Sequence, residues 1–407
     1  MTQSDLAGSD FSKGFISLLE TGRTRASLRA AEILAARLGT SAAQLMATSG
    51  GSGAELDLLL LRGEQQLSAG RLTEALEFVE RVLPGAKGLT RARALRTQGR
   101  TLVESGRARA GLSVLEDAGR AFEALGEREM AVRTTYDRAT AHAHLDEPGN
   151  VLVLALECEA ALRAGTFVDR TLELQVRSLL AAAFTRSGDM ESADLQARLA
   201  IDLAEDVVDT EALGTLYSTI SVARQRQHDF QGAVGYARKS LALFEGLGRD
   251  RAVGQMWHNL AVIYLEQRDY RRAGQAIDRA ERIARAAKVA SLEARLLGLR
   301  AELAAAQRRP AEAQKLAAAA IEHPAASAQT RGRGLLVQAR LLAHGKATDR
   351  RWRETFEAAI AALEREPPRI RAEAHQEYAD VLAKRTDWKA AFEQGRVALR
   401  LLRPKLR

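Results

Sequence analysis

Apolar residues recur three and four positions apart along almost all of the chain beyond residue 55, in stretches separated by short polar turns. Leu56 to Leu67 is one such stretch, Ser68-Ala69-Gly70-Arg71 a turn, and Leu72 to Leu83 a second stretch that Pro84-Gly85 ends. The plan repeats, with turns at Ser105-Gly106-Arg107, Asp146-Glu147-Pro148-Gly149, Ser187-Gly188-Asp189, near Gly345 and at Thr386-Asp387-Trp388, which predicts about nine helix pairs. Through the middle of the chain the punctuation keeps a step of 40 residues: Gly188-Asp189-Met190, His228-Asp229-Phe230, Arg268-Asp269-Tyr270, Arg308-Arg309-Pro310. Three residues after each comes an alanine: Ala193, Ala233, Ala273 and Ala313. A fixed period of this kind predicts stacked repeats that present a long concave face to a partner, and it moves catalysis down the list of functions.

Composition supports helices. Of 407 residues 46% are hydrophobic but only 5% aromatic, and seven prolines leave long runs uninterrupted. Cys158 is the one cysteine, so an intramolecular disulfide is impossible and a reducing compartment is expected. It sits among Leu154, Leu156 and Leu162, where core filling is expected ahead of redox work. The start, Met1-Thr2-Gln3-Ser4-Asp5, has neither the basic nor the apolar region of a signal peptide. No run approaches the roughly 20 apolar residues of a membrane span, and a cytoplasmic location is expected. Net charge is +8, and residues 331–407 carry all of it, with 18 Lys and Arg against 10 Asp and Glu. That basic end suits nucleic acid or an acidic partner; a solvated arginine-rich face is the plainer alternative.

The best-defined unit runs from Met256-Trp257-His258-Asn259-Leu260-Ala261 through Tyr264 and Ala273 to Ile277 and Ala280. It resembles the tetratricopeptide repeat. Trp257, Leu260, Ala261, Tyr264, Ala273, Ile277 and Ala280 fall where that family places tryptophan, leucine, a small residue, tyrosine, alanine, a large apolar residue and alanine. Weaker units carry Tyr217 with Ala233 and Ser240, Phe184 with Ala193 and Ala200, and Leu382 with Trp388, Ala391 and Ala398. The step exceeds the family's usual ~34 residues, so either helices or loops must be longer. The resemblance covers residues 55–403 and implies an all-α fold, a right-handed α-solenoid of about nine helix-turn-helix pairs. Ser49-Gly50-Gly51-Ser52-Gly53 marks a linker over residues 49–54, and residues 404–407 form a basic tail.

Residues 1–48 lie outside the period. Thr2-Gln3-Ser4-Asp5-Leu6-Ala7 is followed by Phe11-Ser12-Lys13-Gly14-Phe15-Ile16-Ser17-Leu18-Leu19-Glu20-Thr21-Gly22-Arg23, then Ala26-Ser27-Leu28, a helix to Leu38-Gly39-Thr40-Ser41, and Gln44-Leu45-Met46. This resembles the phage-repressor-like (XRE-type) helix-turn-helix domain, with no counterpart of that family's first helix. Ser12 is a candidate N-cap, with Ile16 and Leu19 on the buried side of the next helix. Lys13, Gly14, Phe15 and Ser17 occupy the end that such helices set against base edges, Phe15 toward a thymine methyl. The resemblance implies that Gln3 holds a phosphate or edge base and that Arg23 and Arg25 meet the backbone. Leu18 stands where the family usually has a polar residue. The alternative is a small helical cap over the first repeat.

Catalytic raw material is thin. His142 and His144, two apart, point to different faces of a helix, and there is no His-Glu-x-x-His arrangement or phosphate-cradling glycine loop. No metal, cofactor or enzymatic activity is expected. The tetratricopeptide resemblance instead places Asn259, one turn before Tyr264, where an asparagine of the first helix binds ligand backbone. Gln255 and His258 stand beside it, and Thr215, Ser218 and Thr219 hold the equivalent positions one repeat earlier. Arg224, Arg177 and Arg138 add guanidinium groups on neighbouring first helices, a set suited to an extended peptide or its carboxylate. Together the two resemblances match bacterial regulators that couple DNA to a peptide or protein signal, with a homodimer expected. A non-enzymatic repeat adaptor with a vestigial N-terminal cap is the alternative.

Overall fold

The protein is described here from a computed structural model covering residues 2–8, 10–20, 26, 28–42, 51–165, 167–345, 348–366 and 368–402. Among the described residues there is no strand. Three short helices come first, α1 (Gln3–Ala7), α2 (Lys13–Glu20) and α3 (Leu28–Leu38). Three helix pairs follow: α4 (Gly51–Ser68) with α5 (Leu72–Val82), α6 (Gly88–Glu104) with α7 (Ala108–Ala124), and α8 (Arg128–His144) with α9 (Pro148–Arg163). Six more are α10 (Arg170–Ser187) with α11 (Met190–Leu203), α12 (Thr210–Arg226) with α13 (Phe230–Gly246), α14 (Asp250–Glu266) with α15 (Tyr270–Ala286), α16 (Ala290–Ala306) with α17 (Pro310–Glu322), α18 (Ala328–His344) with α19 (Asp349–Ala362), and α20 (Pro368–Lys384) with α21 (Trp388–Leu402). The chain forms an α-solenoid of helix pairs in two compact units, Met1–Phe167 and Val168–Arg407. No helix among the described residues is long and apolar enough to cross a membrane. Gly51 to Gly53, expected as linker, belong to α4, which runs back through them at the roughly 1 kcal/mol that a glycine costs a helix interior. Ser49 and Gly50 lie outside the described residues.

The elementary step is 20 residues, half the period visible in the sequence. Helices begin at 88, 108, 128 and 148, and again at 210, 230, 250, 270, 290 and 310. Most of them are 17 residues long, so the excess over the usual repeat lies in the helices and not in the turns. Each turn is built alike. Its middle residue takes a left-handed conformation: His228, Gly248, Arg268, Lys288 and Arg308 all have φ between 53° and 64°. The next N–H then reaches back to the carbonyl five residues earlier, as Asp229 does to Arg224 and Asp269 to Tyr264, both at 2.9 Å. The aspartate of the punctuation caps the following helix: Asp189, Asp229 and Asp269 accept from the backbone of Ser192, Gly232 and Arg272 at 2.9–3.0 Å. Arg309 has no such cap, and Pro310 opens α17 instead, at a position where its missing N–H costs nothing.

Small residues set how closely the helices approach. Ala193, Ala233, Ala273 and Ala313 are completely buried. In the first unit α6 and α7 cross on Gly99 and Gly111, where a Cβ on Gly111 would lie 2.7 Å from the Gly99 carbonyl. In the second, Leu260, Ala261, Tyr264, Ile277 and Ala280 are all buried in one core. Trp257 is only half-buried there, its ring covered by the Arg279 guanidinium 4.4 Å from the centroid.

The three N-terminal helices share a core of Ala7, Ile16 and Leu34, with Leu6, Phe11, Phe15 and Leu19 around it. Arg37 from α3 donates to the carbonyls of Leu6 and Ala7 at 2.8 and 2.7 Å, satisfying the open end of α1, and also pairs with Asp10.

Two substitutions test this construction. Lys288→Gly removes a side chain from a left-handed position and is expected to raise stability by about 1 kcal/mol, read as a higher urea midpoint. Gly111→Val forces α6 and α7 apart and is expected to cost about 1–3 kcal/mol in the same assay. An unchanged midpoint in either variant contradicts the corresponding contact.

Candidate functional site

Within the second unit the register of 40 lines a residue of one first helix up with its equivalent on the next. Arg295 of α16 donates to Gln255 Oε1 of α14 at 2.5 Å. Gln225 of α12 donates to Glu266 Oε1 of α14 at 2.9 Å. Arg340 of α18 approaches Glu377 of α20 at 3.4 Å. The first helices therefore carry a continuous polar face, with the apolar sides of the same helices turned to the core.

Asn259 sits in the middle of it. Gln255 Nε2 donates to Asn259 Oδ1 at 2.8 Å, and His258 Nδ1 lies 3.4 Å from that same oxygen. Arg295 holds Gln255 from the next repeat, so Gln255, His258 and Asn259 form one network. The Asn259 amide nitrogen donates to nothing among the described residues and is available to a ligand. Burial, with Arg295 and Arg333 nearby, pulls the His258 pKa down to about 3, so the ring is neutral at physiological pH.

The arginines beside this network are crowded. Burial, then Arg251 and Arg333, lower the Arg295 pKa to about 10. Arg333 makes no hydrogen bond or ion pair among the described residues, although it borders a cavity of about 180 Å³ between α14, α16, α18 and α20. The far side of that cavity is acidic, with Glu302, Glu373 and Glu377. Burial pushes the Glu377 carboxyl above its ordinary range against the pull of Arg340. Its Oε2 is buried without a hydrogen bond, and the 3.4 Å approach of Arg340 is an ion pair only. One face thus offers an anion-binding end, an amide in the centre and a cation-binding end.

Other expected site residues are placed differently. Arg224 bonds Gln227 at 3.1 Å and approaches Asp194 of α11 at 3.4 Å, while Arg177 is held by Glu173 at 2.9 Å and Gln196 of α11 at 3.4 Å. Both brace a first helix against a second helix and are committed to internal partners. Thr219 is half-buried on α12. Arg138 belongs to the first unit, where its Nε is buried without a hydrogen-bond partner. Arg295 and Arg333 escaped the sequence reading because equivalents of Gln255 were sought 40 residues before it and not 40 after.

The first unit has a wider cavity, about 620 Å³, bordered by Arg93, Arg96, Arg100 and Arg133. Its charges are closed on themselves. Arg93 pairs with Glu64 through both oxygens at 2.8 and 3.0 Å, Arg96 with Asp137 at 2.6 Å, Arg100 with Asp137 at 3.6 Å and Arg133 with Glu129 at 3.0 Å. Volume favours this cavity, but open charge favours the other, and an ionic ligand responds to charge.

On the N-terminal helices Ser12 caps α2, its Oγ accepting from Phe15 N at 3.1 Å. Lys13 and Gly14 are exposed. Phe15 is half-buried and stacks on Phe11 with centroids 5.3 Å apart, so its ring supports the small core expected to lie behind it. Gln3 donates to Glu20 at 2.6 Å, which ties α1 to the end of α2. Ser17 is half-buried. Arg23 and Arg25, and the Leu18 side chain, lie outside the described residues.

No protein-family model and no curated protein matches the sequence. Solved structures do match the fold. The apo form of RapI superposes with a TM-score of 0.56 at 11% identity, over 85% of this chain and 97% of that one. The apo form of the quorum sensor NprR from B. thuringiensis gives 0.57 at 11%, over 86% and 99%. A Rap protein complexed with competence and sporulation factor gives 0.56 at 13%, over 98% and 97%. At these identities the likeness is one of fold: tetratricopeptide-like helical repeats across nearly the whole chain.

Proposed function

We propose that the chain is a DNA-binding transcriptional regulator whose repeat array senses a short peptide or a partner protein, and that it performs no catalysis. The observation that carries the sensing half is the face of α14, α16, α18 and α20, where Asn259 has a free amide donor and Arg333 an uncompensated charge. An extended peptide matches that order: carboxylate toward Arg295 and Arg333, backbone to Asn259, amine or basic side chain toward Glu302, Glu373 and Glu377. A fold shared with a quorum sensor and with a Rap protein bound to competence and sporulation factor supports the same reading. Exposed Lys13 and Gly14 at the start of a capped helix support the DNA-binding half. Two copies presenting two N-terminal helix sets complete the regulator, because spacing between half-sites is what a distant ligand changes. The adaptor reading keeps the array and drops the DNA.

Two measurements test this. Full-length protein is expected to shift promoter DNA from its own locus, with affinity that falls steeply as salt rises; no salt-sensitive shift leaves the adaptor. Asn259→Ala is expected to weaken capture from a randomised short-peptide library about tenfold with unchanged helicity, the loss of one or two backbone hydrogen bonds. Equal capture by both proteins removes Asn259 from the site.

A further inference from the structure

The last helix, α21, carries a stripe with nothing packed on it. Trp388, Phe392, Leu399 and Leu402 are 67%, 72%, 66% and 56% exposed. With Gly395 they fall within roughly 80° of the helix circumference and extend over about 21 Å of its length. Ala398 and Gln394, on another side, face α20; Ala398 is buried and Gln394 accepts from His375 Nδ1 at 2.6 Å. Scattered apolar residues on a surface are ordinary, but four large ones in line on one helix are not.

We infer that a second copy of this chain covers this stripe, α21 pairing antiparallel with its counterpart about a two-fold axis beside Gly395. The sequence of the stripe is symmetric about that residue. Gly395 is the midpoint of Trp388–Leu402, and a Cβ placed on it would meet no atom within 4 Å, so two helices can close on each other there. The axis sets Trp388 against the partner's Leu402 and Phe392 beside the partner's Leu399, a large ring against a smaller aliphatic group at each level. An isologous contact requires this self-complementarity. The charges agree: Lys389, Glu393, Arg396 and Arg400 lie along one flank, and the axis brings Glu393 beside the partner's Arg396, once on each side. Covering the four exposed side chains removes roughly 500 Å² per copy, about 1,000 Å² for the pair, the area at which a specific interface begins to hold. An apolar stripe with a basic flank also suits a membrane surface. An acid within the flank and a glycine at the centre favour helix pairing.

The assignment rests on the dimer named in the proposed function and supplies its surface. Sedimentation velocity of the full chain from roughly 1 to 100 µM is expected to show a concentration-dependent species of twice 44.2 kDa. Phe392→Glu is expected to weaken it at least tenfold, with an unchanged circular dichroism spectrum because the side chain touches no core. Gly395→Cys is expected to give a disulfide-linked dimer on mild oxidation and Lys389→Cys not, since only the former meets itself on the axis; Cys158 is buried and does not compete. A wild type that stays monomeric throughout overturns both the surface and the dimer. A dimer indifferent to Phe392→Glu overturns the surface alone, and so does wild-type binding to phosphatidylglycerol vesicles by a monomer that Phe392→Glu abolishes. Loss of the DNA shift with the dimer intact counts against the regulator and leaves this interface standing.

Discussion

Everything in the array depends on a three-residue turn that never changes length where the register holds. One residue goes left-handed, its neighbour caps the next helix, and the carbonyls of the old helix are satisfied by N–H groups that reach back across the turn. Six such positions are not glycine, among them His228, Arg268, Lys288 and Arg308, and each carries a backbone cost of about 1–2 kcal/mol. The cost is tolerated because a longer turn would do more harm. One added residue rotates the following helix by about 100° and turns its buried face to water. It would also carry Arg295 away from Gln255 and Arg340 away from Glu377, so the polar face of the second unit is a product of turn chemistry.

The one place between Gly88 and Glu322 where this step slips is informative. Helix starts follow 88, 108, 128, 148 and then 170, 190, 210, with six residues from Ala164 to Asp169 in place of three. The division into compact units falls inside that insertion. A stacked array has no core other than the contacts between adjacent repeats, so an altered step is where one compact unit gives way to the next. Asp169 still caps α10, accepting from Leu172 at 3.0 Å, so the insertion lengthens the connection without fraying the helix that follows.

Much of this was legible beforehand, and the limits have physical reasons. The nine helix pairs and the four buried alanines could be read because burial imposes the same small residue at the same place in each repeat. The 20-residue step was hidden because alternate turns, at Gly248 and Lys288, lack the aspartate and carry no shared letter. Asn259 was placed by its spacing from Tyr264, whereas the roles of Arg177 and Arg224 depended on α11, a partner that periodicity does not reveal. Phe15 shows the same limit: an aromatic at a helix start reads equally well as a base contact or as core, and Phe11 decides it. The exposed stripe on α21 went unread because an amphipathic helix in sequence does not say which apolar side is covered.

The positive charge gathered after residue 330 divides, in the structure, between two surfaces. Lys389, Arg396 and Arg400 flank α21 in solvent, where each ion is well hydrated and screened by salt. Arg333 and Arg340 border the cavity of the second unit, where hydration is already partly lost. Arg340 recovers part of that loss from Glu377, and Arg333 recovers none from the described residues. A guanidinium so placed has been desolvated by folding, so an incoming carboxylate gains the pairing without bearing that share of the cost. The same reasoning excludes the wider cavity of the first unit as the better ionic site. There an anion would first have to displace Glu64, Glu129 or Asp137 from an arginine that already holds it. Of two faces built on one plan, the one left electrostatically incomplete is the one with most to gain from a ligand.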